Sequence, residues 1–310
     1  MQKNKPKVIV ICGPTASGKT KLSIELAKQI QGEIISCDSM QIYQEMNIGT
    51  AKPTKEEMQG IPHYLLDFVS PSKRYSVADF KKDATLAIEN ILQHNKVPIL
   101  VGGTGLYIDS LVKNIEYPEI ELDSNYRKQL EEQIQEQGLD VLYEQAKKID
   151  PKAMEAISKN DKKRIMRVLE LYRQTGKTKT ELEKLSRQNP SPYDYHVFAI
   201  TMDREKLYNR INQRVDNMIE QGLIQEVENL LKKYNTFPTA MQGLGYKEVV
   251  SYLQGNITKE EMIEKLKMET RRYAKRQLTW FRKDKNIKWL NALAPIQENI
   301  QCIVEDYSGE

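Results

Sequence analysis

The chain has 310 residues, 39% of them hydrophobic and 29% charged, and its mean hydropathy is −0.62, a balance that fits a soluble globular protein with enough apolar material for a sizeable core. Forty-seven Lys and Arg against 43 Asp and Glu leave a net charge of +4, a weak pull toward an anionic partner. No run approaches the roughly 18 consecutive apolar residues of a membrane span, and MQKNKPKVIVICG holds too short an apolar run before Gly13 for a signal peptide, so a cytoplasmic protein without a membrane partner is expected. Cys12, Cys37 and Cys302 form neither a paired framework nor a metal site, and the first two read as buried thiols in a reducing compartment.

In chain order, KVIVIC (7–12) is a β-branched run without alternation, as in a strand buried on both faces. It runs into Gly13-Pro14-Thr15-Ala16-Ser17-Gly18-Lys19-Thr20, which fits G-x-x-x-x-G-K-[ST] between a strand and a helix start. The glycines let the backbone curl so that several N–H groups converge on one anion, beside the positive end of the following helix. Lys19 adds a mobile cation for outer phosphate oxygens, and Thr20 a hydroxyl for Mg²⁺. This loop is expected to bind a di- or triphosphate; phosphate binding by itself names no reaction.

KLSIELAKQI (21–30) then shows helical periodicity, and EIISCD (33–38), HYLLDFV (63–69) and VPILVGG (97–103) read as strands, with VADFKKDATLAIENILQ (77–93) as a helix between them. Strands alternating with helices predict a parallel sheet covered by helices, and in such a sheet the ligand sits beyond the carboxyl ends of the strands. The second strand leads into Asp38-Ser39-Met40-Gln41-Ile42-Tyr43, where the carboxylate has two readings: a general base or water-mediated Mg²⁺ ligand, and a helix N-cap. The fourth leads into Gly102-Gly103-Thr104-Gly105-Leu106-Tyr107, either a site of close backbone approach with the Thr104 hydroxyl or a plain turn. Gly49-Thr50-Ala51-Lys52-Pro53 carries one cation and decides nothing alone, and His63 reads as structural.

The alternation stops near Ile115. Residues 121–188 show helical period with no clear strand, the turn-rich NPSPYD (189–194) closes that section, and YHVFAITMD (195–203) reads as another buried strand. The expected fold class is therefore α/β, a P-loop NTPase-like parallel sheet flanked by helices, with core residues 1–116 and 195–310 and a helical insertion at 117–194. Residues 205–284 are helical again.

Charge is unevenly spread over these parts. Residues 116–145 carry nine acidic and two basic side chains, and residues 271–288 carry eight basic and one acidic. Arg210 and Arg214, four apart, share a helix face as a pyrophosphate clamp or as a salt-bridged surface pair. In TRRYAKRQLTWFR (270–282), Arg272 and Arg276 are four apart and Tyr273 and Trp280 seven apart, which suits an RNA-facing helix and equally one that packs its aromatics inward. In the insertion, Lys163 and Arg167 share a basic face beside the apolar face of Ile165, Val168, Leu169 and Tyr172.

Taken jointly, GPTASGKT, DSMQIY, GTAKP, IPHYLLD, YSVADF and GGTGLY, followed by RVDNMI (214–219), GLGYKE (243–248) and AKRQLTWFR (274–282), occur in the order seen in the tRNA dimethylallyltransferase (isopentenyltransferase) family, which the chain resembles over nearly its whole length. The resemblance implies transfer of a dimethylallyl group from dimethylallyl diphosphate to N6 of adenosine 37, next to the tRNA anticodon, with release of diphosphate and a requirement for Mg²⁺. It implies that Gly13 to Thr20 hold the donor diphosphate, with Thr20 as the protein's metal ligand. Asp38 matches the family's general base, Thr104 a hydroxyl near the reacting groups, and Arg214 a pyrophosphate ligand. Contacts with the tRNA anticodon stem-loop are implied at Asp38, Ser39, Met40, Gln41, Thr104 and Arg127, and at Lys163, Arg164, Ile165, Met166 and Arg167. They are also implied at Gln242, Gly243, Leu244, Gly245, Tyr246 and Lys247, and at Lys275, Arg276, Gln277, Leu278, Thr279, Trp280, Phe281 and Arg282.

No Cys/His pair follows the basic helix, so a bacterial-type cytoplasmic form without the zinc-finger module of eukaryotic relatives is expected, and nothing demands more than a monomer. The competing reading is a P-loop small-molecule or nucleotide kinase, which predicts an ATP pocket and an arginine-rich lid.

Overall fold

A computed structural model describes residues 5–117 and 123–309; residues 118–122, which belong to the acidic run and to the start of the expected insertion, lie outside them. The described residues form two compact units, one of Met1–Val112 with Ser191–Glu310 and one of Lys113–Pro190.

The first unit is built on a six-stranded sheet of β1 (Lys7–Cys12), β2 (Gly32–Ser36), β3 (His63–Tyr64), β4 (Val97–Gly102), β5 (Asp194–Thr201) and β6 (Lys288–Asn291). The strands lie in the order β3-β2-β4-β1-β5-β6, and every neighbouring pair is parallel. The absence of alternation in KVIVIC follows from burial on both faces. Val8, Val10 and Cys12 meet Phe80, Ala84 and Ile88 of α3 (Val77–Gln93). Ile9 and Ile11 meet Leu22 and Leu26 of α1 (Lys19–Ile30) and Ile300 and Ile303 at the far end of the chain.

Chain direction along the sheet reverses at β1, whose neighbours β4 and β5 are not consecutive with it. Cys12 is level with Gly102 on one side and Ala199 on the other, so β1 and β4 end at one height and β5 runs two residues further. That is the switch point of an open parallel sheet, where a crevice forms.

Two departures from the sequence reading have local causes. The expected strand 63–69 pairs only over His63–Tyr64, because Leu65 and Asp67 take left-handed backbone, φ +60° and +56°, and turn the chain out of the sheet. Beyond them a lone parallel bridge links Val69 to Tyr43. β6 went unforeseen because it starts on the last residue of the basic run and has one buried residue, Leu290.

Between the strands run the short α2 (Lys55–Met58) and α4 (Gly105–Val112). The second unit contains α5 (Ser124–Gln137), α6 (Leu139–Ile149), α7 (Pro151–Glu155), α8 (Lys162–Thr175) and α9 (Lys179–Leu185). Its own core includes Leu130, Leu142, Ala146, Met154, Ile165 and Leu169. Back in the first unit, α10 (Arg204–Glu220), α11 (Leu223–Lys233), α12 (Tyr246–Leu253) and α13 (Lys259–Phe281) enclose a further core, and α14 (Ile296–Ser308) covers the sheet face that meets α1. The core of α10–α13 also clasps Ile42, Tyr43 and Met46 from the loop after β2. Among the described residues no helix is long and apolar enough to cross a membrane.

Candidate active site

The loop after β1 curls because Gly13 and Gly18 adopt φ +141° and +92°, and a Cβ on Gly13 would stand 2.9 Å from the Ile200 carbonyl oxygen of β5. Between them Ala16 also takes left-handed backbone at φ +61°, an uncommon state for a residue with a side chain. Lys19, in the first turn of α1, reaches back to donate to the Pro14 carbonyl at 2.6 Å. Burial, and after it the charge of Arg214, pushes the Lys19 ammonium down to about 8. The Arg214 guanidinium of α10 donates to the Thr15 hydroxyl at 3.0 Å. Two cations therefore share one small volume at the mouth of the loop, an arrangement that favours an anion of more than one charge.

A pocket of about 320 Å³ opens over this loop. Thr15, Lys19, Thr20, Arg214 and Asp38 mark its charged end, and Met40, Val215, Met218, Leu244 and Leu266 supply an apolar wall. Asp38 Oδ1 accepts from the Met40 N–H at 2.9 Å and the Gln41 N–H at 3.4 Å. Asp38 thus closes a turn through one oxygen; no helix starts there, the next being α2 at Lys55, so the helix N-cap reading is not realised. The other oxygen takes no hydrogen bond from the described residues, and the carboxylate feels the charges of Lys19 and Arg214.

Thr104 does not line the pocket. Its hydroxyl accepts from the Ser39 N–H at 3.1 Å and lies 3.4 Å from the Ser39 hydroxyl, so it pins the loop that carries Asp38. Gln41 secures the same loop from the other side, with its amide donating to the Thr50 and Ala51 carbonyls, each at 3.2 Å.

Sequence reading missed Leu266 and Thr270 of the inner lining and one latch, and it assigned Tyr273 and Gln277 to an RNA-facing helix. Leu266, Thr270, Tyr273 and Gln277 face the pocket from one stripe of α13, with steps of four, three and four residues that were legible as a helical face. Glu226 of α11 is the latch. Its Oε2 takes the Asn47 and Ile48 N–H groups at 2.9 and 2.8 Å, and its Oε1 takes the Gly49 N–H at 3.2 Å and the Tyr246 hydroxyl at 2.7 Å. One carboxylate thereby fixes the loop that contributes Gly49, Thr50 and Ala51 to the pocket. Glu226→Gln sets an amide N–H₂ against groups that are already donors. It is expected to cost about 2–3 kcal/mol in urea unfolding at unchanged m-value.

The structure also corrects the expected tRNA-facing set. Ile165, Met166, Tyr246, Gln277 and Phe281 are all buried, at 0 to 5% exposure. Contiguous motifs on amphipathic helices include inward positions, and these side chains fill the protein's own cores or tie its loops. Lys275, Arg276, Thr279, Trp280 and Arg282 are exposed, as are Gln242 and Lys247; Leu278 and Leu244 are half-buried, and Gly243 and Gly245 are buried.

In the helical unit Lys163 and Arg164 are exposed, whereas Arg127 and Arg167 approach the buried Glu170 carboxylate at 3.0 and 3.6 Å. Of the arginine pair in α10, Arg214 lines the pocket and Arg210 is exposed outside it, so the clamp has one member. Among the described residues no group of three or more His, Cys, Asp or Glu side chains is placed to hold a metal.

A sequence model of the family described as IPP transferase matches residues 41–284. The tRNA dimethylallyltransferase of Acetivibrio thermocellus is 54% identical over 285 residues, covering 92% of this chain and 91% of that protein. That of Halalkalibacterium halodurans is 48% identical, covering 93% and 91%. The solved tRNA isopentenylpyrophosphate transferase of Bacillus halodurans superposes with a TM-score of 0.74 at 44% identity, over 98% of this chain and 96% of that one. A eukaryotic dimethylallyltransferase solved while acting on tRNA gives 0.83 at 32% identity, over 98% and 80%. A sheet whose strand ends carry this phosphate loop, together with these likenesses along nearly the whole chain, makes the protein a member of the IPP transferase family.

Proposed function

We propose that the chain transfers the dimethylallyl group of dimethylallyl diphosphate to N6 of adenosine 37, beside the anticodon of tRNA, yielding N6-(dimethylallyl)adenosine and diphosphate. The observation that carries this reading is the pocket's two-sided lining, with Lys19, Arg214 and the Thr15 and Thr20 hydroxyl residues at one end and the apolar wall of Met40, Val215, Met218, Leu244 and Leu266 at the other. An allylic diphosphate has that same division. A kinase reading calls for an arginine-rich lid, and among the described residues Arg214 is the one arginine lining this pocket.

In the transfer, the adenosine N6 forms a bond to the allylic carbon as the bond from that carbon to the diphosphate oxygen breaks. The bonding electrons leave with the diphosphate, where Lys19, Arg214 and the loop N–H groups stabilise the charge that builds up. Asp38 accepts the N6 proton on its unpartnered oxygen. Thr104 and Gln41 hold the Asp38 loop in register. The apolar wall shields the carbon centre from water.

Mg²⁺ fits this donor set in one manner. With no cluster of three or more His, Cys, Asp or Glu side chains among the described residues, the ion would take Thr20 as its protein ligand and complete its shell with diphosphate oxygens and water. Bound there it supplies charge neutralisation on the departing diphosphate. The exposed cations and Trp280 along α13, with Lys163 and Arg164 in the helical unit, supply phosphate contacts and a stacking surface for the anticodon stem-loop. One chain, as a monomer, carries every group this scheme needs.

The test supplies dimethylallyl diphosphate and Mg²⁺ with either unmodified tRNA or AMP and weighs the products. An added dimethylallyl mass on tRNA and none on AMP is the expected result. ATP turnover without a tRNA adduct would establish the kinase or ATPase reading instead, and an adduct on AMP would move the acceptor to free nucleotides.

A further inference from the structure

Gln277 was carried into the tRNA-facing set by its motif, yet its side chain is 5% exposed and turned into the protein. A buried amide must satisfy both of its ends. Oε1 accepts from the Thr15 N–H at 2.9 Å, and Nε2 donates to the Gly103 carbonyl at 2.9 Å. One side chain thereby joins the loop after β1 to the loop after β4, from a helix position 262 residues beyond Thr15 and 174 beyond Gly103.

The partner matters more than the count. Thr15 immediately precedes Ala16, whose left-handed φ of +61° persists only where its surroundings over-determine it. Thr15 is held at two points, its N–H by Gln277 and its hydroxyl by Arg214. With the Thr15 N–H committed to Gln277, it cannot also serve an anion, and the curl that aims the remaining loop amides begins one residue later.

We propose that Gln277 is a positioning residue for the diphosphate end of the pocket and makes no contact with tRNA. This rests on the reading of that pocket as the donor site. Gln277 acts through Thr15 and Ala16, and without it the loop relaxes into conformations that no longer present their N–H groups together. Gly103 is the matching half of the device: a Cβ there would collide with the Gln277 amide nitrogen and evict the side chain without altering it.

The experiment measures binding of inorganic pyrophosphate with Mg²⁺ by calorimetry, and binding of unmodified tRNA separately, for the wild-type chain, Gln277→Met, Gln277→Asn and Gly103→Ala. Gln277→Met keeps the volume, removes both hydrogen bonds, and is expected to weaken pyrophosphate about 5- to 10-fold while tRNA affinity stays within twofold. Gln277→Asn, a methylene shorter, reaches at most one partner and is expected to fall between. Gly103→Ala should match the Met variant, and the double variant Gly103→Ala/Gln277→Met should lose nothing more, as expected when two changes remove one interaction.

A general loss of structure would lower Tm and weaken both ligands together, which overturns the proposal, as does an unchanged pyrophosphate affinity. Weakened tRNA with intact pyrophosphate would return Gln277 to the RNA surface. Because these are binding measurements, they stand apart from the transfer assay. A wild-type chain that binds pyrophosphate but forms no adduct on tRNA defeats the functional reading and leaves the role of Gln277 to be settled by the affinities.

Discussion

Asp38→Asn is expected to lower the turnover of tRNA prenylation by at least about 100-fold while tRNA affinity and Tm hardly change. The asparagine is chosen because Asp38 has two jobs on its two oxygens. Oδ1 closes the turn onto the Met40 and Gln41 N–H groups, and an amide oxygen does that equally well. An amide nitrogen cannot take a proton from the attacking N6. Asp38→Ala removes both jobs, so it should show the same loss of rate plus about 1 kcal/mol of lost stability, the usual net cost of a lost hydrogen bond. Single-turnover rates and thermal melting of the two variants separate the roles. A full-rate Asn variant beside a destabilised Ala variant would reduce Asp38 to a turn former.

Lys19→Ala should cost about 100- to 1000-fold in kcat/KM for dimethylallyl diphosphate, the range seen when one preorganised group that meets developing negative charge is removed. The pH profile makes this prediction specific. In the free protein the ammonium is pushed from its ordinary 10.5 down to about 8 by burial and by the neighbouring Arg214. kcat/KM, which reports the free enzyme, should therefore fall as pH rises through about 8 in the wild type. A bound diphosphate favours the charged form, so kcat itself should hold to higher pH. Lys19→Ala should lack the limb near pH 8 in kcat/KM, which removes any contribution from titration of the donor. The same depressed value has a consequence for folding. Between about 8 and 10.5 the unfolded chain holds the Lys19 proton and the folded chain does not, so this group's contribution to stability rises with pH across that window.

What could be read without coordinates was whatever depends on local backbone demands. KVIVIC followed by a Gly-x-x-x-x-Gly-Lys-Thr loop fixes a buried strand, a curl and a helix start in one stretch, and all three are present. The stretch 63–69 misled because its apolar composition suits a strand, whereas the left-handed Leu65 and Asp67 are imposed by tertiary packing. β6 was illegible for the opposite reason, since of its four residues only Leu290 is buried and Lys288, Trp289 and Asn291 lie outside.

At the site, the order of motifs located the residues but could not say which way each side chain turns. Arg210 and Arg214 look equivalent at a spacing of four, and only the packing of α10 against the phosphate loop sends one inward. Gln277 and Phe281 sit in a basic run and point away from solvent, while Lys275, Arg276 and Trp280 of the same run point outward. Glu226 lies in an ordinary amphipathic helix, and no pattern in that helix marks a carboxylate that closes on a loop some 180 residues earlier.

The central strand has a consequence for how the protein is made. β1 lies between β4 and β5, so the phosphate loop lacks a neighbour on one side until Asp194–Thr201 has been synthesised. Lys113–Pro190, with its own apolar core, emerges from the ribosome before that strand does. A helical unit of local contacts can therefore collapse while the sheet around it is still half-built, because short sequence separations close quickly and long ones slowly. The insertion thus lengthens the wait for β5, and during that wait it is the part of the nascent chain that can bury its own hydrophobic surface.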